Sequence, residues 1–285
     1  MRRRLNILVC VAVAVLFGKV DMAVGQTAGV ATAGTFVGRY QARVSATQAE
    51  QPHWVTPLVT VTPRLEQELR TDFVHQYDQK AYGQWTYDNG KGLELIPARR
   101  VELLFNLPPF FAHQHPGVQD GFGDVSFLMK FRAFARNEKK GNAIVTGFLG
   151  ASVPTGKNGN GSCCAIVTPS IAMGKGFRRF DYETTLGGTL PVSNTTKLGH
   201  IVTWNNVAQF HVGRFFWPEV ESNTNFYKGG SNDGNAQSFV TPGLVMGRFP
   251  VHNRVGVTVG AGEQIAVTGF HLYNHAFVLT ARLPF

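Results

Sequence analysis

Several stretches of the sequence hold residue types that could do chemistry, and each points to a different reaction class. Gly156-Lys157-Asn158 lies in a glycine-rich run, the composition of a loop that cradles phosphate. The spacing fails twice: five residues rather than four separate Gly150 from Gly156, and Asn158 stands where a Ser or Thr would hold magnesium. His113-Gln114-His115 offers a metal two imidazoles, but no carboxylate or cysteine stands beside them at ligand spacing. Ser231-Asn232-Asp233-Gly234-Asn235 has the oxygen-rich side chains of a calcium loop, and equally the composition of a solvated turn. Cys163 and Cys164 are adjacent, either a vicinal disulfide or two loop thiols. With only Cys10 besides, there is no disulfide framework and no CxxC zinc pattern. There is no GxSxG elbow and no HExxH, and no spacing ties a Ser or His to a carboxylate. The expectation is a protein that is not an enzyme and takes no metal and no cofactor, although a site assembled from distant strands would leave no local motif.

What remains is a set of ionisable residues that recur at every second position. Glu66, Glu68, Arg70 and Asp72 alternate with Leu65, Gln67, Leu69, Thr71 and Phe73. Glu94 lies between Leu93 and Leu95, and Glu102 between Val101 and Leu103. Lys130 and Arg132 alternate with Met129, Phe131 and Ala133. Asp181 and Glu183 oppose Tyr182 and Thr184, Glu219 and Glu221 oppose Val220 and Ser222, and Arg282 lies between Ala281 and Leu283. A period of two is the mark of a strand with two unlike faces. Such a charged face cannot meet lipid, where each charge costs about 2–4 kcal/mol near the midplane. These thirteen residues are therefore candidates to line a lumen. Two uses are open: they pair with one another and fill a narrow barrel, or they line an aqueous path whose charge selects solutes.

Strands must position them, and the chain supplies enough. Val125, Phe127, Met129, Phe131 and Ala133 form the apolar face of the clearest one. The last nine residues alternate Phe277, Leu279, Ala281, Leu283 and Phe285 and stop on an aromatic ring, as the closing strand of an outer-membrane barrel does. Further strands at spacings of about 10–12 residues bring the count to about twelve. Short connections at 98–100, 136–142, 175–179, 212–214 and 250–253 fall on one side. Longer ones at 76–90, 108–122, 154–164, 191–200, 228–237 and 264–274 fall on the other, which is the asymmetry of periplasmic turns and outer loops. The predicted fold is all-β: a transmembrane antiparallel up-and-down β-barrel over residues 63–285. Residues 1–25 carry three arginines, an apolar run too short to span a membrane and small residues at Ala23 and Gly25, the pattern of a cleaved secretory signal. Residues 26–62 are expected to be irregular, either periplasmic or folded back into the barrel as a short hatch.

Composition agrees. Only 16% of residues are charged, and the mean hydropathy of -0.06 suits alternating apolar and polar positions. The formal charge of +9 falls by three with the leader. No basic stripe interleaved with aromatics is left, so nucleic acid is not an expected partner.

The segment Gly121-Phe122-Gly123-Asp124-Val125-Ser126, with Lys130, Phe131 and Arg132 behind it, resembles the GxGD[LV]…KYR strand of a bacterial outer-membrane barrel family. That family is named for a transporter of the phenol meta-cleavage degradation pathway. Val153-Pro154-Thr155-Gly156 is similar to its LPTG stretch, and Pro218-Glu219-Val220-Glu221 and the closing strand match its layout. The resemblance covers roughly Leu65 to Phe285 and departs at Phe131, where the family has Tyr, and at Pro284. It implies a passive channel or transporter for small aromatic or hydrophobic solutes, with outer-membrane lipid, lipopolysaccharide and, through the last strand, the barrel-assembly machinery as partners. Two other readings stay open: a non-transporting structural or surface-binding barrel, and a secreted soluble β-protein.

Overall fold

Alternation of apolar and polar residues becomes strand almost wherever the sequence predicts it. The computed structural model describes residues 34–89 and 91–285, so the leader expected over 1–25 lies outside the described residues. A helix, α1 (Phe36–Ala49), is followed by β1 (Glu68–Tyr77), β2 (Gly83–Tyr87), β3 (Gly92–Ala98), β4 (Val101–Asn106), β5 (Phe110–His113), β6 (Gly121–Phe122) and β7 (Val125–Arg136). Then come β8 (Ala143–Val153), β9 (Ile166–Phe177), β10 (Phe180–Pro191), the single-turn α2 (Thr195–Leu198), β11 (His200–Phe210), β12 (Phe216–Lys228), β13 (Ala236–His252), β14 (Val255–Ala266) and β15 (His275–Pro284).

All pairings are antiparallel, and the last strand closes on the first, from Glu68 opposite Pro284 to Tyr77 opposite His275. The fifteen strands make twelve staves, because three staves are interrupted. β2 and β3 both pair with β1, β5 continues β4, and β6 leads into β7. The interruptions fall between β2 and β3, between β4 and β5, and between β6 and β7. Pro108 and Pro109 lack the N–H that a ladder needs, and pairing is kept up across the gap by Leu107 N–H to Lys91 O (3.2 Å) and Gly123 N–H to Pro109 O (2.7 Å).

Three sequence expectations are corrected. Residues 76–90 and 108–122, predicted as loops, hold β2, β5 and β6. These pieces continue staves toward the outer loops, where neither face needs to be apolar, so the alternation that marks a strand is lost. The first strand begins at Glu68, not Leu65: Leu65 packs inward against Val44 and Ile96, and its N–H donates to Gln51 Oε1 at 3.0 Å. Finally, the segment expected to be irregular over 26–62 contains the whole of α1.

The outward row is apolar. Phe127, Met129 and Phe131 are 45%, 43% and 50% exposed, while Lys130 and Arg132 between them are buried. Phe134, Phe177, Phe180, Phe210 and Phe216 are exposed where their strands meet the short turns, a belt at one rim of the wall. No helix among the described residues is long and apolar enough to cross a membrane; crossing falls to the strands.

Candidate functional site: the lumen and the segment that crosses it

All thirteen lumen candidates are buried on the side of the wall opposite the exposed apolar row. Glu68, Arg70 and Asp72 stand on β1, Glu94 on β3, Glu102 on β4, Lys130 and Arg132 on β7, Asp181 and Glu183 on β10, Glu219 and Glu221 on β12, and Arg282 on β15. Glu66 sits just before β1, inside the barrel and not on its wall. Some of the charges pair with one another. Arg70 grips Asp72 at 2.8 Å, Lys130 meets Glu102 at 2.8 Å with Glu94 at 3.9 Å, and Arg64 reaches Glu66 at 3.2 Å. Arg132 reaches down to the partly exposed Glu50 at 3.0 Å.

The remaining bonds go to the chain between α1 and β1, residues 50–67, which crosses the lumen as irregular backbone. Glu219 accepts the N–H of Leu58 at 2.9 Å, and the two oxygens of Glu221 accept those of Val59 and Thr60, both at 2.7 Å. Arg70 donates to the carbonyl of Leu58 (2.5 Å), Arg282 to those of Thr56 and Pro57, and Lys130 to that of Arg64 (3.2 Å). Thr146 donates to Pro63 O, and Gln51 both donates to and accepts from the backbone of Leu65. Irregular backbone at membrane depth needs a partner for each polar group, because no hydrocarbon can supply one. In this barrel the wall's charged side chains supply most of the partners named, with Thr146 and Gln51 supplying the rest.

Apolar side chains of the same segment seat in places where the wall has no side chain. Trp54 and Leu58 pack with Ile144, Trp217 and Val245. A Cβ on Gly174 would come within 2.5 Å of the Trp54 ring, and one on Gly243, Gly260 or Gly262 within 2.4–2.7 Å of a Leu58 methyl. The alternate glycines of β9 and β14 are thus sockets. At the short-turn mouth, Val44 of α1 packs on Ile96, Arg132 donates to Thr47 O at 2.7 Å, and Arg254 donates to Ser45 at 2.6 Å.

On the outer side of the segment lies a cavity of about 380 Å³. Its wall is mostly neutral. Leu104, Leu128 and Phe148 make an apolar flank, and Asn106, Ser126, Thr168, Ser170, Thr185 and Asn205 supply hydroxyls and amides. A second cavity of about 150 Å³ lies beside Leu58 and Val59, between β1 and Tyr273, and Lys91 lines both.

The other chemistry-bearing stretches do not converge. His113 bonds Asn160 at 2.6 Å, while His115 packs edge-on against Tyr82. Asp233 accepts the N–H of Gly229 within its own turn, and Cys163 and Cys164 form no disulfide, the Cys163 thiol donating to Cys164 Sγ at 3.7 Å. Among the described residues no cluster of His, Cys, Asp or Glu is arranged to hold a metal ion.

Sequence reasoning missed the sockets and Lys91. A signal for the sockets was present: glycines two apart at 174 and 176, and at 260 and 262, on a face where side chains should be, and a Trp and a Leu in a stretch with no periodicity of its own. Lys91 gave none, because it falls in a stave interruption.

Ring closure, inward charge and outward apolar rows together define a closed, twelve-stranded transmembrane β-barrel. No family model matches the sequence, and no curated protein matches it. Among solved structures, the chain is similar to the crystal structure of the COG4313 outer membrane channel from Pseudomonas putida F1, at 13% identity with a TM-score of 0.58, over 81% of this chain and 100% of that one. The likeness is one of fold.

Proposed function

We propose that the protein is a passive outer-membrane channel for small solutes, with residues 50–67 forming its constriction. The observation that carries this is a closed barrel whose interior holds a cavity of about 380 Å³ on the loop side, which Val61 of the crossing segment lines. Twelve strands enclose more space than their side chains fill, since about eight already suffice for a packed interior. The likeness to a solved outer membrane channel supports the same reading. The sequence resemblance favours small aromatic or hydrophobic solutes, and the apolar flank of Leu104, Leu128 and Phe148 suits them. The reading includes export through a cleaved leader and residence among outer-membrane lipid and lipopolysaccharide. It also includes assembly through the last strand, so removal of Phe285 should lower the amount of heat-modifiable barrel in outer-membrane fractions. It assigns no enzymatic activity.

Purified protein reconstituted in planar bilayers and in liposomes provides the test. Discrete conductance steps and flux of small neutral solutes are the expected result; silence in both removes the channel reading. A second reading, a non-transporting surface barrel, draws on the dense bonding that fastens residues 50–67 across the lumen. Flux that persists after the outer loops are shortened would count against it.

A further inference from the structure

Lys91 is unlike the other cations inside the barrel. Arg70 closes on Asp72, Lys130 on Glu102, Arg64 on Glu66 and Arg132 on Glu50, and Arg282 is occupied by two carbonyls. Among the described residues, Lys91 closes no ion pair within 4.0 Å and makes no side-chain hydrogen bond; it is half-buried between β2 and β3 and lines the smaller cavity together with Asp72. It lines both cavities, and among the described residues that line the larger one it is the one charged side chain. Asp72, its nearest acid in the lining of the smaller cavity, is already held by Arg70 at 2.8 Å, so an ammonium that faces the larger cavity with no ion-pair partner of its own is a place for an anion.

The rest of the wall says which kind of anion. A bare inorganic ion would use neither the apolar flank nor most of the volume. A phosphate group would call for a guanidinium fork or several cations, and the wall has one ammonium. About 380 Å³ is the size of a small-molecule pocket, which typically runs from about 300 Å³ upward. Leu104, Leu128 and Phe148 offer a hydrocarbon or ring body a place to rest, and Ser126, Thr168 and Asn205 can turn a donor or an acceptor toward the second oxygen.

We propose that this cavity is a binding subsite for small organic monocarboxylates, with Lys91 holding the carboxylate and the Leu104–Leu128–Phe148 flank holding the apolar body. The proposal deepens the channel reading and rests on it for transport, while binding itself can be measured without transport. It gives a lumen rich in carboxylates a way to admit an anion: Glu219 and Glu221 are bonded to the backbone of residues 50–67, Asp72, Glu102 and Glu66 face Arg70, Lys130 and Arg64, and the one charge that lines the larger cavity is positive.

The probes are benzoate and its neutral counterpart benzamide, used with the full-length protein in detergent and in liposomes. Isothermal titration should show benzoate binding more tightly than benzamide. Lys91→Met should weaken benzoate about 10- to 100-fold, the loss of one charge-assisted contact, and bring the benzoate-to-benzamide ratio near one. Lys91→Arg should restore most of the preference, and heat-modifiable migration reports whether each variant is folded. Equal affinity for the two probes in the unaltered protein, or a ratio unmoved by Lys91→Met, overturns the subsite. Flux separates the two claims. Benzamide entry without benzoate preference discards the subsite and keeps the channel. Benzoate binding with no entry of either probe discards the channel and keeps the subsite.

Discussion

Glu221→Gln isolates the fastening of the lumen segment from the stability of the barrel. The Glu221 carboxylate takes the Val59 N–H on one oxygen and the Thr60 N–H on the other, both at 2.7 Å, and is fully buried. The substitution keeps the volume and one acceptor and puts an NH2 group where the second acceptor stood. One buried N–H then loses its partner and faces another donor. A hydrogen bond to a charged group contributes about 1.5–3 kcal/mol, and a buried donor left alone costs about 1–3 kcal/mol. Against this, a neutral amide is cheaper to bury than a carboxylate by a comparable amount. The net loss expected for the docked segment is about 1–3 kcal/mol, a shift of about 5- to 150-fold in its local opening equilibrium. The strand ladders of β12 with β11 and β13 do not pass through this carboxylate, so the barrel itself should be untouched. Hydrogen exchange read by mass spectrometry should show faster exchange at residues 58–60 with β12 and β13 unchanged, and bilayer recordings should show more frequent or larger openings. Equal protection of residues 58–60 in both proteins, or a uniform loss of protection around the wall, would refute the reasoning.

Other perturbations probe separate parts of the same picture. Leu58→Ala empties the socket formed by Gly243, Gly260 and Gly262 and should cost the segment about 2–5 kcal/mol of docking, seen as the same local exchange at 58–60. Met129→Arg places a charge in the exposed row midway along β7 and should lower the stability of the folded barrel in bilayers by about 2–4 kcal/mol by urea titration, whereas Phe134→Arg near the rim should cost about 0–1 kcal/mol. At the short-turn end, partial burial works against ionisation of Glu138, but hydrogen bonds from the His53 ring and backbone N–H win and hold its carboxyl below the ordinary value of 4.5. A carboxyl depressed in the folded state stabilises fully above its unfolded value and loses that contribution as pH falls through the folded one. Protection of the His53 amide should therefore be flat above about pH 5 and decline below about 4.5, and Glu138→Gln should abolish the decline.

The wall was legible because its physics is local. Lipid on one side and protein on the other force a period of two, and Phe127, Lys130 and Phe131 each declare their side by type alone. The strand count and the sidedness of the loops follow from the same rule. What the rule could not reach is whatever escapes the two-faced environment. β2, β5 and β6 extend past it, and the segment from Trp54 to Gln67 lies inside the ring, where neither face meets lipid. Helix α1 has only a weak apolar stripe, carried by Tyr40 and Val44, so nothing in Phe36–Ala49 separates it from an irregular run until Ile96 and Leu65 are placed beside it.

The inward carboxylates make sense only when both layers are taken together. A ring of twelve staves leaves a core too wide for its own side chains, and the chain fills it with a stretch of backbone instead of a second layer of hydrocarbon. That choice fixes the chemistry of the wall. Exposed N–H groups such as those of Leu58, Val59 and Thr60 require acceptors, and carbonyls such as those of Thr56, Pro57 and Leu58 require donors. Glu219, Glu221, Arg70 and Arg282 are those groups. Replacing this layer by Leu and Val would be cheaper for the barrel alone, but it would strand the backbone of the segment without partners at membrane depth. The mixed sign of the lumen charge follows from that constraint, since the segment presents both donors and acceptors, with carbonyls in excess because Pro52, Pro57 and Pro63 lack an N–H. It requires no solute of either sign, which is why Lys91, the one charge that lines the larger cavity, bears more directly on the proposed subsite than the many acids do.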